Sequence, residues 1–143
     1  MHEQISRVLI LDHDPEMLIS LQQLLEDAGV DVTITWDQAE ARQLVESKCF
    51  DLILVGDHPP ELDAASILRV VSSQAGSYPS LVLRGIANEE DLEHFRGLGT
   101  IGVIPRRDPT VILEQVRRAL SSKEPGPHRL PQPAQGRSWR AAC

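Results

Sequence analysis

Apolar residues along this chain alternate between two patterns. Five short runs are apolar or β-branched at nearly every position: Arg7–Asp12 (RVLILD), Val30–Thr35 (VDVTIT), Leu52–Val55 (LILV), Ser80–Arg84 (SLVLR) and Ile101–Pro105 (IGVIP). Runs of this length, bounded by turn residues, read as strands, and unbroken apolar ones as strands buried on both faces of a sheet. Between them, apolar positions recur at helical spacing. Leu18, Leu21, Leu25 and Ala28 follow Asp14–Pro15, a capping residue with proline at the first helical position, and Gly29 is placed to end that helix. Asp37 with Glu40 forms a capping-box pattern ahead of Ala41, Leu44 and Val45. A third helix over about Leu62–Ser73 turns Ala64, Ile67, Leu68 and Val71 inward, and a fourth opens at Asn88 with Glu89, Glu90 and Asp91 in its first turn. Gly97 and Gly99 close that fourth helix; Asp108–Pro109 opens the last, with Ile112, Val116 and Leu120 on its inner face. Five strand–helix units predict an α/β domain whose parallel sheet carries helices on both sides. Pro105 cannot donate to a ladder, so the fifth strand belongs at a sheet edge.

The stretch Asp51–Ala64 (DLILVGDHPPELDA) organises the rest. Its apolar run stops at Gly56, and the chain then turns through Asp57–His58–Pro59–Pro60. Open parallel sheets place ligands and chemistry just beyond the carboxyl ends of their strands. Gly56 therefore stands where a working site would present a key side chain, and has none.

At 143 residues and 41% hydrophobic, the chain can bury one core, and with 3% aromatics that core must be aliphatic. Charge divides it in two. Residues 1–121 hold 20 acids and 10 Lys/Arg, net −10, whereas residues 122–143 hold 1 acid and 4 Lys/Arg, net +3. An acidic body lacks the phosphate neutralisation that drives nucleic-acid binding, so no nucleic-acid partner is expected. Pro125, Pro127, Pro131 and Pro133 with Gly126 and Gly136 break all periodicity after Ser121, which predicts one folded domain at 1–121 and a flexible Pro-rich basic tail at 122–143. Cys49 and Cys143 make no disulfide framework, and Cys49 reads as a small buried hydrophobe. No apolar run approaches the ~20 residues that span a bilayer, and MHEQISR lacks an apolar leader core. A cytoplasmic protein without a membrane partner is the expectation.

Three stretches in register resemble the receiver domain of bacterial response regulators: Asp12–His13–Asp14–Pro15 after the first strand, Asp51-LILV-Gly56 with Pro60, Asp63 and Ala64 beyond it, and Gly102–Arg106. The resemblance covers residues 7–120. It implies a flavodoxin-like, doubly wound five-stranded sheet in the order 2-1-3-4-5 with five helices. It also implies a two-component signalling role and a phosphorylation pocket at the carboxyl edge of strands 1, 3, 4 and 5.

Matched residue by residue, that pocket is depleted. The phosphoaccepting aspartate of the family falls on Gly56, with Pro60 and Asp63 four and seven residues on. The acidic pair falls on Asp12 and His13, the phosphoryl-sensing Ser/Thr on Arg84, and the pairing lysine on Arg106. Arg107 replaces the following proline, and Val103 the switch aromatic. Glycine offers no nucleophile, and a histidine is a poor substitute for the hard oxygen that Mg2+ prefers. No cofactor is expected; Asp12 and Asp14 remain the only candidate metal ligands. These residues predict a pseudo-receiver, not an enzyme, that works through contact with a signalling protein or with a second copy of itself. The family's contact surface is the fourth helix, fifth strand and fifth helix, which here includes Val103, Arg107, Arg117 and Arg118. Two other readings stay open. Asp57 replaces the acceptor if a bulge at Gly56 shifts the register by one; otherwise strand alternation aims it away from Asp12, as a turn aspartate capping local amides. Arg84 and Arg106, both expected to face the space left at Gly56 near Asp12 and Asp14, form either an internal network with those carboxylates or a small-anion site. His13 is read as a surface or capping histidine, with a pH-sensitive role as the alternative.

Overall fold

A computed structural model describes residues 5–58, 62–75, 78–85, 93–95, 97–106 and 108–121, with the side chains of 72–75 not included. Nine elements follow one another: β1 (Arg7–Leu11), α1 (Pro15–Asp27), β2 (Asp31–Thr35), α2 (Gln38–Ser47), β3 (Leu52–Gly56), α3 (Ala64–Ala75), β4 (Ser80–Arg84), β5 (Thr100–Pro105) and α4 (Pro109–Ser121). The strands form one parallel sheet in the order β2-β1-β3-β4-β5. β5, with its proline, lies at an edge. Four helices are present among the described residues rather than five. The opening of the helix expected from Asn88 lies outside them, and of its later residues Glu93 and His94 are helical.

The two-residue strand period sorts the core into two layers. Val8 and Ile10 of β1, Leu52 and Leu54 of β3, Leu81 and Leu83 of β4, and Ile104 of β5 pack with α1 and α4 through Leu18, Leu21, Leu25, Ile112 and Val116. Leu9, Leu11, Ile53, Val55 and Val82 face the other way and pack with α2 and α3 through Ala41, Val45, Ala64, Ile67, Leu68 and Val71. β3 lies in the middle and is buried at all five positions.

Local signals act mostly as the sequence predicts. Asp14 accepts from the amides of Glu16 and Met17 at the start of α1, and Gly29 just beyond its end takes φ +89°, a left-handed conformation that favours glycine. Asp37 caps the Ala39 amide. The reciprocal half of that capping box does not form, because the Glu40 carboxylate accepts from the Thr35 hydroxyl instead, and the Asp37 amide donates to Thr35 Oγ1 at 3.1 Å. α3 begins at Ala64, two residues later than its periodicity suggests. Leu62 is held in an antiparallel bridge with His58, with the His58 amide donating to the Leu62 carbonyl at 2.7 Å and the reverse bond at 3.0 Å. Cys49 is half-buried and disulfide-bonded, against the expectation of a small buried thiol. Among the described residues, no helix is long and apolar enough to cross a membrane.

Candidate functional site

The parallel register levels the carboxyl ends of the inner strands. Leu11 stands beside Val55, Gly56 beside Leu83, and Arg84 beside Pro105. The next residues along β1 and β5, Asp12 and Arg106, carry on the parity of Ile10 and Ile104 and so emerge on the α1/α4 side.

There they meet. Asp12 is fully buried, and its Oδ1 accepts from Arg106 Nη2 at 2.8 Å and from the Asp14 amide at 3.1 Å, with His13 Nδ1 at 3.4 Å. The Arg106 side chain is only 9% exposed, and its Nη2 also lies 3.9 Å from Asp14 Oδ2. Asp12 Oδ2 is buried without a hydrogen-bond partner among the described residues. It is turned toward Gly56: a Cβ built there would stand 2.6 Å from Asp12 Oδ2 and 2.8 Å from its Cγ. The absent side chain of residue 56 and the inward carboxylate of residue 12 occupy the same space. Either fits, but not both.

Arg84 does not join this group. Val82 and Arg84 share a parity opposite to Leu81 and Leu83, so Arg84 leaves β4 on the α2/α3 side. Asp57, which continues the parity of Ile53 and Val55, leaves β3 on that side too. Arg84 Nε lies 3.1 Å from Asp57 Oδ2, and the first amide of α3, Ala64, donates to Asp57 Oδ1 at 3.0 Å. Asp57 is buried, and Arg84 about one-third exposed. The expectation that Arg84 and Arg106 converge on the space at Gly56 is thereby corrected: the sheet separates them, and each holds a different carboxylate. No bulge shifts Asp57 toward Asp12.

The remaining predicted positions scatter. Val103 is half-buried and packs on the α2/α3-side core. Arg117 and Arg118 are exposed on α4, whereas Arg107 lies outside the described residues. His13 stacks on His58, ring centroids 4.0 Å apart and planes 30° from parallel. Sequence reasoning did not anticipate His58; its only signal was position, one residue past Asp57 on the strand next to β1. Nor did it anticipate the Arg84–Asp57 pair, although the matching parity of the two residues was available.

Comparison with known proteins agrees with this architecture. No family model matches the chain. It is 31% identical over 120 residues to the C4-dicarboxylate transport transcriptional regulatory protein DctD of Pseudomonas aeruginosa, across 80% of this chain and 25% of that one. It is 29% identical over 92 residues to the alkaline phosphatase synthesis transcriptional regulatory protein PhoP of Bacillus subtilis, across 64% of this chain and 38% of that one. A response regulator receiver domain protein (CheY-like) from Methanospirillum hungatei superimposes with a TM-score of 0.75 at 24% identity, over 85% of this chain and 98% of its own. The chain carries a response-regulator receiver domain. It spans only a quarter to two-fifths of the length of those two curated relatives. The receiver's carboxyl-edge pocket thus holds an arginine–aspartate pair and a glycine, and its opposite face a second arginine–aspartate pair.

Proposed function

We propose that this receiver works without taking up phosphate, as a pseudo-receiver in a two-component pathway that acts by protein contact. One observation carries the reading: the acceptor position is Gly56, and the Asp12 carboxylate fills the space an acceptor side chain would need. Phosphoryl transfer to such a domain requires a carboxylate oxygen in line with the phosphorus and a cation on the equatorial oxygens. Gly56 supplies no oxygen. Asp57 has one, but it is buried on the other face and committed to Arg84 and the Ala64 amide.

The residues present do not fit Mg2+. That ion keeps near-octahedral oxygen coordination. Asp12 is fully buried with a guanidinium 2.8 Å from one oxygen, and the adjoining position supplies an imidazole. A divalent cation would have to displace Arg106 or sit beside its charge. Arg106 does the metal's neutralising work on Asp12, permanently and without exchange.

A pocket that cannot be charged or discharged leaves surface contact as the means of signalling. Arg117 and Arg118, both exposed on α4 together with Glu114, leave that face charged and open to a partner, a signalling protein or a second copy. The test is intact mass after incubation with acetyl phosphate and Mg2+. No gain of a phosphoryl group is expected. A labile gain that disappears in Asp57→Asn would replace this reading with phosphorylation at Asp57, and a gain that survives it would place the acceptor elsewhere.

A further inference from the structure

Between α2 and α3, on the far side of the sheet from the Asp12–Arg106 pair, lies a groove of about 290 Å3 lined by Gln38, Ala39, Arg42, Ser66, Ile67, Val70 and Val71. The size is at the lower end for small-molecule sites, and so is the make-up: an apolar body with a few polar groups. Its floor is aliphatic. Ile67 and Val71 belong to the core, while Val70 is 37% exposed, one of the few large apolar side chains among the described residues left to solvent.

The polar part is asymmetric. The Ser66 hydroxyl already donates to Asp63 Oδ2 at 2.9 Å. Arg42 is exposed and forms no ion pair among the described residues, although the body of the chain carries twice as many acids as basic side chains. The helix starts add no anion site of their own, because the Ala39 amide donates to Asp37 and the Ala64 amide to Asp57, so Arg42 is the cationic group of the groove. An unpaired guanidinium beside an aliphatic trough is complementary to a molecule with an apolar body and one anionic end. Its seven lining residues are far fewer than the roughly 20–30 a side of a stable protein interface, which favours a free small molecule over a docked protein.

We propose that the α2–α3 groove is a binding site for a small amphipathic monocarboxylate, with its aliphatic part on Ile67, Val70 and Val71 and its carboxylate on Arg42. The site does not depend on how the pocket at Gly56 works, so it stands or falls separately from the pseudo-receiver reading. Methyl-resolved NMR of the full chain, titrated with sodium octanoate and, as a neutral counterpart, 1-octanol, tests it. The expected result is saturable movement of the Val70, Val71 and Ile67 methyls with a Kd of about 1 mM. Arg42→Gln should weaken octanoate by about fivefold, the scale of one partly exposed ion pair, and leave 1-octanol unchanged. Val70→Glu, at an exposed position that tolerates a charge, should abolish binding of octanoate. No methyl movement up to the solubility limit, movement centred on another part of the domain, or equal octanoate affinity in wild type and Arg42→Gln would each overturn the proposal.

Discussion

The two faces of the sheet end in the same chemical device used under different conditions. On one, Arg106 and Asp12 are almost wholly excluded from water, at 9% and 0% exposure; on the other, Arg84 and Asp57 are at 31% and 5%. The first pair fills a pocket. The second fastens the start of α3 to the end of β4, because Asp57 accepts from the Ala64 amide as well. The difference teaches that a charged residue replacing a catalytic one acquires its role from the face it leaves by, and from how dry that face is. In the dry pair each ion depends on the other. Taking two charges out of water costs several kcal/mol apiece, and losing one partner strands the other.

This comparison can be broken by substitution, and the dry face should respond most. Arg106→Ala is expected to lower unfolding free energy by about 3–5 kcal/mol, read by urea denaturation. Asp12→Asn combined with Arg106→Gln should recover at least half of that loss, since no charge is then left uncompensated. Equal losses in single and double variants would mean that packing, not charge, dominates. Next in size, Gly56→Ala places a methyl against the buried Asp12 carboxylate and should cost about 1–3 kcal/mol by overpacking; a neutral result would show that Asp12 swings aside. Arg84→Ala, on the wetter face, should cost less, about 1–3 kcal/mol, because the buried Asp57 loses its cation but keeps the Ala64 amide, and a loss matching that of Arg106→Ala would erase the distinction between the faces.

The smallest effect concerns acid. Asp108 caps α4, and hydrogen bonds first from the Thr110 hydroxyl and then from its amide hold its carboxyl below the ordinary value of 3.8. A lowered acid contributes stability that is present above its ordinary pKa and lost as pH falls through the lowered one. Asp108→Asn should therefore slightly lower Tm at neutral pH and leave the difference from wild type smaller at strongly acid pH. A difference that grows with acidity would contradict the assignment.

Much of the fold was legible in the sequence because it depends on signals that tertiary structure does not override. The inner strand at Leu52–Val55 is apolar at every position, Asp14–Pro15 caps α1, and Pro105 sits on an edge strand. Other signals were local propensities for which neighbours compete. Glu40 matched a capping box until the Thr35 hydroxyl offered it a closer partner. Leu62 had helical spacing, but its backbone groups are used by His58. The candidate site was legible in identity and only half legible in geometry. Gly56, Asp12 and Arg106 could be picked out by position, and strand parity foretold that Asp57 would turn away from Asp12. The same parity applied to Val82 and Arg84 separates the two arginines, yet the shared sheet edge suggested that they converge. That Asp12 lies across Gly56, and not in the solvent, depends on side-chain rotation after the strand has ended, which no periodicity encodes.

The central claim is that the Gly56 pocket is closed by Asp12 and Arg106 and cannot hold a metal-bound phosphoryl group. The most direct test is an amide and arginine side-chain NMR titration with Mg2+ followed by beryllium fluoride, a mimic of aspartyl phosphate. The account predicts no displacement of the Asp12, Gly56 or Arg106 signals. Saturable shifts of those signals, with Arg106 released from Asp12, would contradict it.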